Sequence, residues 1–502
     1  MCGIAGKINL NDKPVIQSEI TAMVQALIHR GPDDQGIYCK GSVGLGHSRL
    51  SIIDLSASGH QPMASYDGKT WITFNGEIYN FNELRTDLEK DGYIFRSKTD
   101  TEVILALYKK YDEKCLKFLR GMFAFAIWDE DIQRLFMARD RIGKKPLKYY
   151  YDPSQKIFIF ASEIKAILKN REVKKEINHE ALDHYLSLQY IPSPLTIFRD
   201  IYKLPPAHYL ILQDGKIEIK RYWGLDLNKK SDLSEGEWKK SILDKLKESV
   251  SLRMISDVPL GAFLSGGIDS SAIVAIMSTL SPIPVKTFSI GFKESDYDET
   301  SYAKIVAKRF GTDHQEFFVR PNAIEILPQL VYHYDEPFAD PSAIPTWYLS
   351  QLTRGYVTVA LNGDGGDENF AGYERYLVYK TDIFSQRIPF LLNNLFVRRG
   401  ASAIHSILKT KLTEKINRYL STQNNSPQAN YISRIFYFTS KNKEVLYSDN
   451  LKEKLIGSEI KNSEKILERL FLAAKECDRL DQALFTDIHS YLPEDLMVKV
   501  DI

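Results

Sequence analysis

The sequence predicts two domains of different class. Residues 1–210 read as an α+β domain, and residues 237–502 as an α/β domain with a doubly wound parallel sheet and a helical C-terminal part. A hairpin and linker, residues 211–236, separate them. Three observations carry this expectation. The first stretch interleaves strands and helices without a βαβ rhythm. The second alternates strand, Gly-rich turn and helix. The length of 502 residues exceeds what one core fills, about 250–300 residues.

The elements follow in order. Residues 122–128 alternate Phe123, Phe125 and Ile127 with Ala124, Ala126 and Trp128. An acidic turn, Asp129-Glu130-Asp131, and a second run at 135–138 make a hairpin signal. Residues 71–74 and 157–161 also read as strands, and 102–110 as a helix. A last hairpin at 208–222 turns at Gln213-Asp214-Gly215, and the polar residues 226–237 read as linker. Beyond it come a strand at 258–264, a helix at 268–280, a strand at 285–290 and a helix at 302–310 that stops at Gly311. A strand at 357–361 runs into a Gly-rich turn, and from about Thr381 the chain reads as helical.

Composition narrows the function classes. Lys and Arg number 66 against 65 Asp and Glu, a formal net charge of +1, so no nucleic-acid or membrane partner is expected on electrostatic grounds. Hydrophobic residues at 44% and charged residues at 26% are those of a globular chain. Four cysteines are too few for a disulfide scaffold, which points to a reducing, cytoplasmic setting. No apolar run approaches the roughly 18 residues of a membrane span. The N-terminus lacks the basic and apolar regions of a signal peptide.

Cys2 follows the initiator Met. Removal of that Met would leave a thiol and an α-amine on one residue, and an amine titrating near pH 7.7–8.0 can take the thiol proton. Around it, in order, stand Met1-Cys2-Gly3-Ile4-Ala5-Gly6, His29-Arg30-Gly31-Pro32-Asp33-Asp34, Gly46-His47-Ser48-Arg49-Leu50-Ser51, Gly59-His60-Gln61-Pro62-Met63, Phe74-Asn75-Gly76-Glu77-Ile78-Tyr79-Asn80 and Ser97-Lys98-Thr99-Asp100-Thr101-Glu102. This set resembles the class II glutamine amidotransferase domain, an Ntn-hydrolase fold. The resemblance implies Cys2 as nucleophile, and the Asn75 side chain with the Gly76 N–H as oxyanion donors. It implies Arg49, with the following residues Leu50, Ser51, Ile52 and Ile53, at the glutamine carboxylate, and Glu77 and Asp100 at the ammonium. Taken singly, Asn75-Gly76 also reads as a turn and Asp100-Thr101 as a helix cap. His29, His47 and His60 match no zinc spacing and read as packing or hydrogen-bonding residues; Cys39, Cys115 and Cys477 read as structural.

In the second domain, Leu264-Ser265-Gly266-Gly267-Ile268-Asp269-Ser270-Ser271 joins a strand to a helix, where backbone N–H groups and the helix dipole favour phosphate. It lacks the Gly-Lys-Ser/Thr ending of a Walker A loop. It resembles the pyrophosphate loop of ATP pyrophosphatases. Leu361-Asn362-Gly363-Asp364-Gly365-Gly366-Asp367-Glu368 and Ser289-Ile290-Gly291-Phe292 follow neighbouring strands, where α/β sheets bind ligands. The resemblance implies that Leu264, Ser265, Gly266, Gly267, Asp269, Ser270, Ile290, Asn362 and Gly363 hold ATP, that Asp269 and Asp367 hold Mg2+, and that Asp364 serves the adenylate step. The acids of Asp335-Glu336-Pro337-Phe338-Ala339-Asp340-Pro341 are expected at the same triphosphate.

The two halves in this order resemble glutamine-hydrolysing asparagine synthetase. The resemblance implies glutamine, aspartate and ATP as small-molecule substrates, β-aspartyl-AMP as intermediate, and asparagine, AMP and pyrophosphate as products, with a homodimer left open. Two departures stand beside it. The second turn reads Asn362-Gly363-Asp364-Gly365 where many members carry Ser-Gly-Glu-Gly, which leaves another acceptor carboxylate, such as a uronic acid, open. The chain also stops inside a family segment, before the Arg-x-Pro-Phe-Leu-Asp-like stretch and a lysine that Lys499 does not match. A C-terminal truncation is therefore expected, with glutaminase chemistry or nucleotide binding without synthesis as the third reading.

Overall fold

The computed structural model describes residues 1–292, 298–319, 322–385, 426–455 and 463–501. In the first part lie strands β1 (Gly3–Asn9), β2 (Asp34–Lys40), β3 (Val43–Arg49), β4 (Met63–Ala64), β5 (Thr70–Ile78), β6 (Gly121–Asp129), β7 (Arg134–Arg139), β8 (Lys148–Asp152), β9 (Ile157–Ala161), β10 (Ile201–Lys203), β11 (His208–Gln213) and β12 (Lys216–Arg221). Among the described residues they form two six-stranded sheets, β10-β8-β9-β1-β3-β2 and β12-β11-β7-β6-β5-β4. The hairpin expected at 208–222 is β11–β12, and it closes the second sheet.

The alternation within β6 explains the layering. Ala124, Ala126 and Trp128 face the first sheet and pack with Ile4, Val43, Leu45 and Phe160. Phe123, Phe125 and Ile127 face the other way, onto the helices Phe81–Lys90 and Asp100–Tyr111. The outer face of the first sheet, Ala5, Ile157 and Ile159, carries the helix Gln17–Gln25 through Ile20, Met23 and Val24. The result is helix, sheet, sheet, helix: the four-layer Ntn-hydrolase sandwich.

The linker ends earlier than the sequence suggests. Ser234 accepts from the Glu237 N–H and Glu237 reaches back to the Ser234 N–H, a capping box that starts the helix Glu235–Arg253. Beyond it, strands β13 (Leu260–Phe263), β14 (Lys286–Gly291), β15 (Asp313–Phe318) and β16 (Val359–Leu361) form a parallel sheet in the order β15-β14-β13-β16. The chain enters at β13, winds outward to β15 and crosses back to β16. The switch point therefore lies between β13 and β16, and both Gly-rich turns leave from it. The helix Ile268–Leu280 packs Val274, Ile276 and Met277 on this sheet. The helix Thr300–Phe310 ends at Gly311, which takes φ +62.

The C-terminal part is helical over Pro427–Ile435, Ser440–Leu446, Asp449–Leu455, Ser463–Ala473 and Arg479–His489. A π-helical turn, Leu492–Leu496, leads into the short helix Met497–Asp501. The expected helical reading from Thr381 falls partly on residues 386–425, outside the described residues. Among the described residues, no helix is long and apolar enough to cross a membrane.

Candidate active site

The first centre forms where β1 and β3 run side by side. Their register pairs Gly3 with Ser48, which sets Cys2 beside Leu50 at the strand ends. The Cys2 thiol donates to the Leu50 carbonyl at 3.6 Å, and the Leu50 N–H donates to Sγ at 3.4 Å. Burial pushes the Cys2 thiol up, and the adjacent α-amine and the Arg49 charge draw it back. The Met1 α-amine is itself pushed down to about 5, chiefly by burial.

Asn75 is not in a turn. It lies inside β5, paired with Ala124, and is 1% exposed. Its side-chain Nδ2 is buried without a hydrogen-bond partner among the described residues. An unpaired buried donor costs roughly 1–3 kcal/mol, and this one is free to meet an incoming acceptor such as an oxyanion. Gly76 beside it has no room for a side chain: a Cβ there would stand 2.2 Å from the Met122 carbonyl oxygen.

Asp100 is not the helix cap either. Thr99 caps the helix, accepting from the Glu102 N–H, while Asp100 Oδ2 accepts from the Ile78 N–H at 2.8 Å. Burial raises the Asp100 carboxyl to about 6. Glu77 is held well above the usual carboxylate range by burial and by the Asp100 and Cys2 charges. Two mutually repelling carboxyls suit a bound ammonium, which would lower both.

Arg49 is held in place rather than swinging free. Its guanidinium donates to the carbonyls of Ser56 at 3.0 Å and Asp54 at 2.5 Å, and Gly59 leaves it room. Its charge acts on Cys2 and Asp100. The Ser51 N–H donates to Asp33, and the Ile52 carbonyl accepts from the Asp257 N–H of the second domain at 3.0 Å. The segment Leu50 to Ile53 thus spans the two halves. The three histidines take separate hydrogen bonds: His29 to Glu163, His47 to the Phe74 carbonyl and His60 to Asp34. The four cysteines are free thiols, with Cys115 buried in the core.

The second centre sits at the sheet's switch point. Gly267 starts the helix Ile268–Leu280 with no side-chain cap, which leaves its first N–H groups open. Gly266 takes φ +88, and a Cβ there would meet Tyr302 at 2.5 Å. Ser265 and Ser270 join hydroxyls at 3.0 Å across the turn. Leu264 is buried, and Ser289, next to Ile290, donates to its carbonyl. The second turn closes on the first: a Cβ on Gly366 would stand 2.4 Å from Asp269 Oδ2. Asn362 Nδ2 donates to Asp364 Oδ2 at 2.6 Å. Burial and the Asp367 charge raise the Asp269 carboxyl.

Among the described residues no cluster of three or more His, Cys, Asp or Glu is arranged to hold a metal alone. Asp269 and Asp367 are near enough for one charge to act on the other, and carboxylate oxygens are the donor type that Mg2+ takes, with waters and phosphate completing its shell.

The acids after residue 334 correct the sequence reading. Asp335 pairs with Lys165 at 3.1 Å and Glu336 with Lys203 at 2.9 Å, both lysines of the first domain. They close the domain interface, so the triphosphate is not needed to explain them. Asp340 pairs instead with Lys499 at 2.9 Å, and Lys499 also donates to Ser342 at 2.7 Å. Desolvation raises the Asp364 carboxyl, and the Lys499 and Lys144 charges draw it back. The sequence reading assigned no role to Lys499, Lys144 or Arg30; Arg30 stood in a quoted motif, but its partners are remote in sequence. At the domain interface a small cavity is lined by Lys144, Lys148 and Lys203 from the first domain and by Glu336, Glu494 and Asp501 from the second.

An N-terminal cysteine centre on an Ntn sandwich, joined to a pyrophosphate-loop α/β domain, defines a glutamine-dependent, ATP-using ligase. Comparison with known proteins agrees. A glutamine amidotransferase domain family model matches residues 1–223, and an asparagine synthase model matches residues 241–502. A putative asparagine synthetase [glutamine-hydrolyzing] 2 of Methanocaldococcus jannaschii is 39% identical over 100% of this chain and 97% of its own length. Asparagine synthetase [glutamine-hydrolyzing] 1 of Bacillus subtilis is 36% identical over 100% of this chain and 77% of its own. A Gibberella zeae protein named amidase chry2 is 32% identical over 75% of this chain and 60% of its own. The chain belongs to the glutamine-hydrolysing asparagine synthetase family.

Proposed function

We propose that this ligase amidates aspartate to asparagine, using ammonia released from glutamine at Cys2. The observation that carries the reading is the joint between the two domains, where one small cavity is lined from both sides. Asp501 in its lining pairs with Arg30, which holds the Cys2 carbonyl; Lys144 in its lining acts on Asp364. The charges that hold Cys2 and those that act on Asp364 meet at one joint, which supports transfer of ammonia from the first centre to the second.

At the first centre, the carboxyls of Glu77 and Asp100 take the glutamine ammonium and Arg49 faces its carboxylate. After removal of Met1, the Cys2 amine accepts the thiol proton and Sγ adds to the side-chain amide carbon. Asn75 Nδ2 and the Gly76 N–H receive the oxyanion. The amine returns the proton to the leaving nitrogen as ammonia departs. Water then releases glutamate from the thioester. At the second centre, the turns after β13 and β16 hold ATP through Ser265, Gly266, Gly267 and Ser270, with Leu264, Ile290, Asn362 and Gly363 near the nucleoside. Mg2+ held by Asp269 and Asp367 would offset phosphate charge. The aspartate side-chain carboxylate attacks the α-phosphorus and pyrophosphate leaves; ammonia then displaces AMP. Asp364 accepts a proton from the incoming ammonia, and Lys499, paired with Asp340, supplies a fixed positive charge.

Incubation with ATP, Mg2+, glutamine and aspartate tests the reading. Aspartate-dependent AMP and asparagine are expected. AMP formed only with a uronic acid would move the acceptor to a sugar, an option that Asp364, one methylene shorter than Glu, leaves room for. Glutamate without any AMP would leave only the first centre active.

A further inference from the structure

The nucleophile's own backbone is held by a chain of charges that ends in the other domain. Arg30 Nε donates to the Cys2 carbonyl at 2.9 Å. Its Nη1 donates to Glu163 at 2.8 Å and its Nη2 to Asp501 Oδ2 at 2.5 Å. The other Asp501 oxygen accepts from Lys145 at 2.8 Å. Every member is buried: Arg30 is 5% exposed, Lys145 3%, Glu163 0% and Asp501 6%. Cys2, Arg30, Lys145 and Glu163 lie in the amidotransferase stretch, and Asp501 in the synthase stretch.

Charge balance makes Asp501 decisive. Glu163 is already shared by His29, Arg30 and Lys165. Without Asp501, Arg30 and Lys145 would remain as buried cations with no common counter-charge, and repulsion would drive one of them out. Arg30 is the one whose Nε fixes the Cys2 peptide. A displacement there moves Sγ relative to Asn75 and Gly76, and attack geometry tolerates errors well under 1 Å.

We propose that Asp501 is a positioning residue of the glutamine-hydrolysing centre, aligning Cys2 through Arg30 so that the nucleophile is in register only when the second domain is docked. The proposal rests on Cys2 as the nucleophile. The same short helix carries Lys499 to Asp340, so the nucleotide-side acids and the Cys2 carbonyl are tied to positions two residues apart.

Steady-state glutamine hydrolysis by the full chain tests it. Asp501→Asn is expected to lower kcat roughly 10- to 100-fold while the KM for glutamine changes less than about twofold. Asp501→Glu is expected to recover most of the rate. An Arg30→Lys/Asp501→Asn double variant is expected to be no slower than the slower single variant, because both act on one contact. Wild-type kcat in Asp501→Asn, or losses that simply add in the double variant, would overturn the proposal. If Asp501→Asn also lowers the melting temperature, Asp501→Glu decides: a refolded, stable protein that stays slow counts against a role of the charge. Cys2→Ala separates the two levels. Hydrolysis surviving in Cys2→Ala removes the underlying reading, whereas hydrolysis lost there but intact in Asp501→Asn removes only the proposal.

Discussion

Gly363 lies directly against Asp269: a side-chain carbon on Gly363 would stand 2.8 Å from the Asp269 Cβ and 3.0 Å from the Ser270 nitrogen. The turns after β13 and β16 are therefore one site, and the absence of a side chain at Gly363 is what lets them close. Gly363→Ala is expected to lower ATP-dependent amide formation at least about tenfold by forcing the turns apart. Glutamine hydrolysis at the other centre should stay within about twofold. Pyrophosphate release and glutamate release, measured on the same preparation, give both numbers.

Asn75 offers a donor that nothing among the described residues accepts. Asn75→Ala is expected to cut kcat for glutamine hydrolysis by about 100- to 1,000-fold. Its effect on thermal stability should be small, because no hydrogen bond of Nδ2 is lost. A large fall in melting temperature with little change in kcat would make Asn75 a packing residue.

Cys2→Ala should abolish glutamine use and leave ammonium-driven synthesis in place, since the second centre is built from other residues. Parallel assays with glutamine and with ammonium chloride read this directly.

Asp100 sets a pH dependence with a definite sign. Its folded-state value of about 6 lies above the unfolded value of about 3.9, so the protonated form favours folding. That contribution is fully present below about pH 4 and is lost as pH rises through about 6. Asp100→Asn should therefore stabilise the ligand-free protein at pH 7, by roughly 1–3 kcal/mol, as a higher melting temperature. Glutamine binding should show the opposite. The ammonium needs the ionised carboxylate, so KM for glutamine should rise as pH falls through about 6, and Asp100→Asn should raise it at every pH.

Much of the fold was legible because it is written in local patterns. The alternation Phe123, Phe125, Ile127 against Ala124, Ala126, Trp128 marks a strand with two unlike faces, and β6 is that strand, with one face on helices and the other on the first sheet. The helix Ile268–Leu280 and its Gly-Gly entry were readable from the strand before them. Single motifs were ambiguous: Asn75-Gly76 looks like a turn until β6 pairs with it, and Asp100 looks like a cap until Thr99 takes that place.

The sequence by itself determined the two domain classes, the cysteine beside the initiator Met and the Gly-rich turns, since each depends on residues within a few positions of one another. Tertiary structure decided which charges meet. Asp335 and Glu336 read as nucleotide acids and instead close the domain interface on Lys165 and Lys203. Arg30 meets Asp501 across 471 residues of chain. A buried ion pair is set by how two domains dock and by what else has been removed from water around it, and no local spacing records either.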